Sequence, residues 1–521
     1  LNPGDAQAQS IRIPGLPAPV RVDFLAAVIL AAVATALYLP MLGGDFVYDG
    51  RMTVYANDYI HHLRNLVDVL TLRIMHMDVM DNNRPVYVAT AMIDWAVWGA
   101  NPAGHHFVNI VLHAGVTLLI FRLCRILRDD ACVWIPFSAA LLYAVHPLNS
   151  EAVAEISYRK DLLAAFFVLA ALNLATEFRP MWSRRNMLIG AACVASLFLS
   201  VGAKENGVAG PPVLICYWLL FRRTEPHKGW IVLCSAALLA VGLFLTARFT
   251  LPPAHSIIFT QKPQYLAGSL ADANFLQPRI LACYLRNIVW PRGLTGDYGL
   301  YSIHNFKYIW CMLAVVAVVA AQIFLAVYNR QFALGVAIFW LALLPVANFM
   351  PIYRPMADRF LYFPMAGVAV MLATIPWRWP DFSKAGMAVA ILLSIPLACV
   401  TFQREKVWHD SLALWSDSAS RNPFSPDSYA GFGGALHEKG RYKESVAAFE
   451  RAIKLSGGKS ADQFACMALS LDALGRRAEA DAAFKKAVSI DERYAHPDML
   501  LKALIWEKTE TARLQVIASR N

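Results

Sequence analysis

Charged residues are scarce in this chain. Asp, Glu, Lys and Arg make 16% of its 521 residues, while hydrophobic residues make 58% and mean hydropathy is +0.44. A soluble domain is roughly a quarter charged, so an ordinary soluble globule is excluded, although length alone would suggest about three domains. Cysteine is present without pattern. The nine residues (Cys124, Cys132, Cys193, Cys216, Cys234, Cys283, Cys311, Cys399, Cys466) are odd in number, mostly sit in or beside apolar runs, and include no CxxC pair. Neither a disulfide framework nor a zinc site is readable, and the redox compartment is not given by cysteine. No cleavable signal peptide is evident: the 22–40 run is long enough to span and follows Arg12 and Arg21. Acidic residues are outnumbered by Lys and Arg, 37 to 47. That excess could serve nucleic acid or an anionic surface. The basic inner loops of a polytopic protein explain it more simply, so no nucleic-acid partner is expected.

What is abundant is apolar runs. Eleven spans are predicted near residues 22–40, 105–121, 132–147, 161–177, 187–201, 207–221, 230–248, 309–328, 332–348, 359–376 and 384–401. Several are shorter than the usual ~20 residues, which implies tilt or local thinning. Residues 1–20 read as a Pro-rich cytoplasmic leader. The segment 85–99 is apolar but starts with Pro85 and holds Asp94. It reads as a juxtamembrane helix, with a twelfth span as the competing reading. Charge favours the first. With eleven spans and a cytoplasmic N-terminus the inner loops carry Arg122/Arg125/Arg128, Arg179/Arg184/Arg185, Arg222/Arg223/Lys228, Arg330 and Arg378/Lys384. A twelfth span would throw the later arginines outside.

The outer loops are then 41–104, 148–160, 202–206, 249–308, 349–358 and everything after 401. They hold GDFVYDG, HPLNSEAVAEISYRKD, AKEN, TGDYG and YRPMADR, so the polar motifs converge on one face. Within the long 249–308 loop, residues 278–290 have helical apolar spacing. They suit an interfacial amphipathic helix or a helix buried among the spans.

After residue 401 a repeat begins. GRYKESVAAFERAIKL aligns without gaps on GRRAEADAAFKKAVSI at an offset of 35, matching Gly440, Phe449 and Ala452 to Gly475, Phe484 and Ala487. This resembles the tetratricopeptide helix–turn–helix, with an extra residue in SGGKS and a degenerate third unit near 494–514. The expected fold is all-α: a transmembrane helix bundle over 1–401, then a TPR-like array of α-hairpins over 402–521. So short an array is expected to lean on the membrane domain.

The loop Gly43 to Asp58 carries Asp45, Asp49 and Asp58. A carboxylate such as Asp49 can take a proton from an attacking hydroxyl. If the departing group is a phosphate, the same face needs fixed positive charge. Arg159, Lys160, Lys204 and Arg359 offer it from three loops. Each could instead pair with a neighbouring acid: Lys204 with Glu205, Lys160 with Asp161, Arg359 with Asp358. His146 could donate to phosphate or cap a helix. Glu151 and Glu155 stand four apart, so one helical face could present both, and they could bind a cation together. No third ligand is obvious, and no metal cofactor is expected.

FVYDGR, RPVYVATAMIDWAVWGANPAGHHFVNIVLHA, HPLNSEAVAEISYRKDLLAA, AKEN, the DYG at 297–299 and PMADRFLYFP stand in one order, with the repeats behind them. This set resembles the transmembrane-and-TPR O-mannosyltransferase family, over about residues 38–490. The resemblance implies a GT-C glycosyltransferase. Its donor would be a polyprenyl-phosphate sugar used on the outer face, and its catalytic carboxylate would lie in the first outer loop. Asp49 matches that acid. Arg84, Glu151, Glu205, Asp297, Tyr298 and Asp358 fall within the motifs and are further site candidates. The family usually has two adjacent acids after the aromatic, whereas Gly50 follows Asp49 here. The short array resembles prokaryotic relatives. That would place the chain in a bacterial inner membrane with a periplasmic site and an undecaprenyl-type carrier, or, if eukaryotic, in the ER membrane with a luminal site. The acceptor would be a protein or glycan held by the repeats. A lipid-linked sugar flippase or polysaccharide ligase, and a non-enzymatic TPR scaffold, are the rival classes.

Overall fold

The computed structural model describes residues 18–128, 132–250, 269–299, 308–348, 352, 354–375, 382–496 and 508–520. The proposed leader, 1–20, falls almost wholly outside these residues, as does part of the third repeat.

Among the described residues there are helices and turns and no strand. Numbering the helices of ten or more residues, α1 is Ala18–Tyr38, α2 Pro85–Trp98, α3 Pro102–Leu127, α4 Trp134–Val145 and α5 Arg159–Glu177. Then come α6 Arg184–Ala203, α7 Gly210–Phe221, α8 His227–Thr250, α9 Leu270–Val289, α10 Tyr308–Tyr328, α11 Arg330–Leu343, α12 Pro364–Thr374 and α13 Phe382–Trp408. All eleven predicted spans therefore fall on helices, namely all of these except α2 and α9. Six of the eleven (α1, α3, α6, α8, α10, α13) are long and apolar enough to cross a membrane by themselves, and α4, α11 and α12 are shorter apolar helices. The short helices end early because 3-10 turns take over at Pro147–Asn149, Glu205–Ala209, Leu344–Val346 and Asp358–Leu361. At 1.5 Å per residue, a helix of 11 or 12 residues reaches well short of a hydrocarbon core of about 30 Å. On α10 and α13 large side chains such as Trp310, Val316, Phe324, Leu392 and Ile395 are exposed. In water so wide an apolar surface would not stand uncovered; in a bilayer it meets lipid.

Side-chain bonds sort the helix ends into two groups. At one end Asp23 of α1 pairs with Arg125 of α3 at 3.0 Å, Arg122 pairs with Glu177 of α5, Arg222 donates to the Thr176 carbonyl at 2.9 Å, and Arg128 donates to that of Ala373 at 2.7 Å. At the other end lie the polar motifs. There the motif loops bond to one another, Asp49 with Tyr158, Arg84 with Glu205 and Arg359 with Glu151.

The helix α2 is 14 residues long, packs against α6, and buries Tyr87, Val88, Met92 and Asp94. The helix α9 begins eight residues before the predicted amphipathic stretch. It buries Ile280 and Tyr284 while Val289 is 81% exposed, so one face packs and the other does not.

The repeats form α14 Ser411–Arg421, α15 Pro426–Glu438, α16 Tyr442–Ser456, α17 Ala461–Ala473, α18 Arg477–Ile490 and α19 Lys508–Ser519. Small residues let the pairs approach: Ala452, Ala465, Ala468, Ala480 and Ala487 are all buried. In SGGKS, Gly457 and Gly458 take positive φ of 65° and 69°, closing α16 as only glycine does without strain. Leu514 and Ile517 of α19 close the array's core. The boundary expected at 401/402 falls inside α13, which runs to Trp408 and into the first repeat helices.

Candidate active site

The segment between α4 and α5 organises the polar end. It breaks into a 3-10 turn, the short helix Ser150–Ala154 and a second 3-10 turn, Ile156–Tyr158. Side chains satisfy the broken backbone. His146 Nδ1 accepts from Leu148 N–H at 3.3 Å, and its Nε2 lies 3.0 Å from the Ile288 carbonyl. Asn149 donates to the Tyr143 carbonyl at 2.7 Å, and Asn109 donates to the carbonyls of Val153 and Glu155. Buried irregular backbone needs such partners because water does not reach it. His146 is therefore a cap with both ring nitrogens engaged by backbone.

Asp49 sits on the first loop, following Tyr48, whose φ of +50° is a left-handed conformation that costs a tyrosine energy. Tyr48 is held there by stacking on Trp415 of α14, with ring centroids 5.2 Å apart. Asp49 Oδ2 accepts from Tyr158 Oη at 3.1 Å. The Arg359 guanidinium lies 4.1 Å from the centroid of the same Tyr158 ring, and it pairs with Glu151, whose other oxygen accepts from Arg359 N–H at 3.0 Å. Asp49, Tyr158, Arg359 and Glu151 thus form one connected row.

A second row of charges flanks it. Lys160 meets Asp81 at 3.3 Å and lies over the rings of Tyr87 and Tyr158. Lys204 meets Asp161 at 2.5 Å and lies over Phe360. Arg84 reaches Asp81 and, at 3.1 and 3.2 Å, both oxygens of Glu205, which also takes Arg248 at 2.9 Å. Burial lowers Lys204 to about 8 against the pull of Asp161. Burial disfavours the Glu205 carboxylate, but Arg84 and Arg248 outweigh it and hold the group below its usual range. Together Arg84, Lys160, Lys204, Arg248 and Arg359 make a cluster of fixed cations suited to an anionic ligand.

Other candidates are placed elsewhere. Arg159 is buried between Asp94 at 2.5 Å, Asn109 at 2.8 Å and the His105 carbonyl at 2.9 Å. Asp297 is 1% exposed, pairs with Arg354, and accepts from Ser425 and Ser428 of the array's first hairpin. It ties the bundle to the repeats. Tyr298 donates to Asp358 at 2.7 Å, and burial, then the charge of Glu151, push the Asp358 carboxyl above its usual range. Arg359 pairs with Glu151, not with its chain neighbour Asp358. Glu151 and Glu155 do not share a helical face: the helix ends between them, and Glu155 turns to Gly50 N–H at 2.7 Å. Among the described residues no group of three His, Cys, Asp or Glu gathers as metal ligands. Sequence reasoning missed Tyr158, Asp81 and Arg248. The motif SYRKD places Tyr158 beside two cations, which was the available signal.

These features define a polytopic helical membrane protein with a buried cluster of charged side chains at one end, braced by a helical repeat array. The tetratricopeptide repeat family matches residues 426–458 and 467–494. Over most of its length the chain is similar in sequence to protein O-mannosyl-transferases. It is 27% identical over 446 residues to protein O-mannosyl-transferase F38B6.6 of Caenorhabditis elegans, covering 82% of this chain and 62% of that protein. It is 26% identical to Tmtc3 of Drosophila melanogaster (71% and 48%) and 25% identical to human TMTC4 (83% and 66%). The chain thus spans about half to two-thirds of the length of these relatives. Among solved structures it is similar to ArnT from Cupriavidus metallidurans bound to undecaprenyl phosphate, at TM-score 0.41, 13% identity and coverage of 95% and 88%. It is also similar to the oligosaccharyltransferase of Archaeoglobus fulgidus, at TM-score 0.40, 15% identity and coverage of 73% and 53%. Both likenesses are too distant to transfer residue roles.

Proposed function

We propose that this chain is a membrane glycosyltransferase. It moves a hexose, mannose or a close relative, from a polyprenyl-phosphate carrier to an acceptor hydroxyl, with protein Ser or Thr as the acceptor its relatives' names suggest. The observation that carries the reading is the row Asp49–Tyr158–Arg359: a carboxylate, a phenol and a guanidinium in contact at the polar end.

The acceptor oxygen attacks the anomeric carbon and gives its proton to Asp49. The bond from that carbon to the phosphate oxygen breaks, and its electron pair leaves with the polyprenyl phosphate. Charge grows on the departing phosphate, so nearby cations stabilise the transition state more than the ground state. In this reading Arg359 and Lys204 take that role, and Lys160, Arg84 and Arg248 add to the positive charge of the cluster. Glu151, Asp161 and Glu205 hold these cations in position. The repeats position the acceptor and brace the loop that carries Asp49. The site faces the periplasm of a bacterial inner membrane, or the ER lumen in a eukaryote.

The test is to incubate the purified protein with undecaprenyl- and dolichyl-phosphate sugars and a Ser/Thr-rich peptide. Acceptor-dependent release of polyprenyl phosphate with glycosylated peptide is expected. Movement of the intact lipid-linked sugar across a vesicle without release would identify a flippase instead.

A further inference from the structure

The resemblance leaves one gap. Where two adjacent acids are usual, this chain has Asp49 and then Gly50. The Gly50 N–H donates to Glu155 Oε1 at 2.7 Å, and a Cβ at position 50 would lie 2.5 Å from that same oxygen. A long side chain usually yields to such a clash. Glu155 cannot do so cheaply: it is 0% exposed, and its Oε2 accepts from Ser157 Oγ at 2.6 Å and from Tyr158 N–H at 2.9 Å. The volume that a side chain at position 50 would need is already filled by a carboxylate reaching across from the α4–α5 segment. Tyr158 joins the two acids, giving its backbone N–H to Glu155 and its phenol to Asp49.

We propose that Glu155 is the second carboxylate of this site, supplied from the α4–α5 segment in place of residue 50, and that it is the positioning residue for Asp49. The proposal rests on the reading of Asp49 as the base. Its physical content is that Glu155 must accept on both oxygens at once. One oxygen takes Gly50 N–H and fixes the peptide that follows Asp49. The other takes Tyr158 N–H and fixes the residue whose hydroxyl reaches Asp49. An amide has a single oxygen, so a glutamine here must turn its NH2 toward one of two N–H donors, and a buried unpaired donor is costly. Protonated Glu155 has a similar difficulty. Burial, then the charge of Asp49, push it up to about 7, while Ser157 and Lys160 pull it down. Tyr87 faces it from α2, and α3 presents the uncharged Asn109 to its backbone carbonyl. Below about that pH the clamp loses its anionic acceptor, so turnover should fall as pH drops through 7.

The experiment uses the full chain in nanodiscs, with undecaprenyl-phosphate mannose as donor and a Ser/Thr-rich peptide as acceptor. It compares E155Q, E155A, G50D and the double variant G50D/E155A. E155Q should lower kcat roughly 10- to 100-fold with donor Kd unchanged, and should lose the fall in turnover below pH 7. G50D alone should be at least as impaired. In G50D/E155A the acid returns to position 50 and the obstruction is gone, so kcat should exceed that of G50D by about tenfold, a non-additive result. Hydrogen exchange supplies a readout that needs no turnover: at unchanged Tm, the Gly50 or the Tyr158 amide, whichever faces the glutamine NH2, should exchange about tenfold faster in E155Q. Wild-type kcat and pH profile in E155Q, additive effects in the double variant, or unchanged exchange at both amides would each overturn the proposal. If the wild type releases no undecaprenyl phosphate, the glycosyltransferase reading fails, and the exchange measurement still decides whether Glu155 holds the loop.

Discussion

The Tyr158 hydroxyl joins Asp49 to the cation cluster, and Tyr158→Phe removes that hydroxyl alone. Asp49 Oδ2 loses a donor at 3.1 Å, while the ring that carries Arg359 at 4.1 Å stays in place. A hydrogen bond to a charged group is worth about 1.5–3 kcal/mol. With about 1.4 kcal/mol for each tenfold in rate, the loss in kcat should be roughly 10- to 100-fold if this bond aims the carboxylate. Donor affinity should not move, because no cation is disturbed. Tyr158→Ala goes further and removes the surface beneath Arg359, a contact worth about 0.5–2 kcal/mol. Donor Kd should then rise as well. Both quantities come from one assay: undecaprenyl phosphate released from undecaprenyl-phosphate mannose, read with and without peptide across donor concentrations. Wild-type kcat in Tyr158→Phe would show that the phenol does not aim Asp49. A raised Kd in Tyr158→Phe would show that the two effects do not separate as the geometry requires.

Lys204 and Asp161 form a buried pair, so Lys204→Ala should both weaken donor use and cost about 3–5 kcal/mol of stability. The double variant Lys204→Met/Asp161→Leu should recover Tm without recovering donor affinity, as thermal melts and donor titration would report. Deleting 424–521 removes Glu438 from Arg51 and Ser425 and Ser428 from Asp297. Donor binding should persist while peptide transfer falls and exchange at residues 45–52 quickens; unchanged transfer would rule out the bracing role. Single cysteines placed by Trp182→Cys and Ser460→Cys in a cysteine-free chain should label from opposite sides of the membrane. Labelling from one side would mean that the number of crossings is even.

The helical framework was legible because apolar runs declare themselves. All eleven predicted stretches lie on helices, and the repeat offset located the array. What was not legible is who pairs with whom. Arg159 stands in a cationic motif, yet its partner is Asp94, 65 positions earlier on α2, and no local pattern announces that pair. Lys204, Lys160 and Arg359 each have an acid next to them in sequence, yet the structure gives them Asp161, Asp81 and Glu151. At i,i+1 spacing two side chains diverge, so adjacency was a poor guide. The four-residue spacing of Glu151 and Glu155 puts them on one face only if a single helix runs through both, and the helix ends at Ala154. The break after Ala154 depends on Asn109 of α3, which donates to the Val153 and Glu155 carbonyls across 44 and 46 positions, and on Glu155 accepting from the nearby Tyr158 N–H. Asp297 sits in a motif of the site loops, but the two serines it holds belong to the first repeat hairpin, which only the fold brings near.

Asp49→Asn tests the central claim most directly. The substitution keeps the side chain's size and its contact with Tyr158 while removing the charge and most of the basicity. General-base catalysis contributes about 10²–10⁴-fold, and turnover should fall by that order. Donor binding should be retained or tightened, because a negative charge near the phosphate is gone. Asp45→Asn and Asp58→Asn should be milder, and all three variants should melt alike. Near-normal turnover in Asp49→Asn, with turnover abolished in Asp45→Asn or Asp58→Asn, would contradict the assignment of the base.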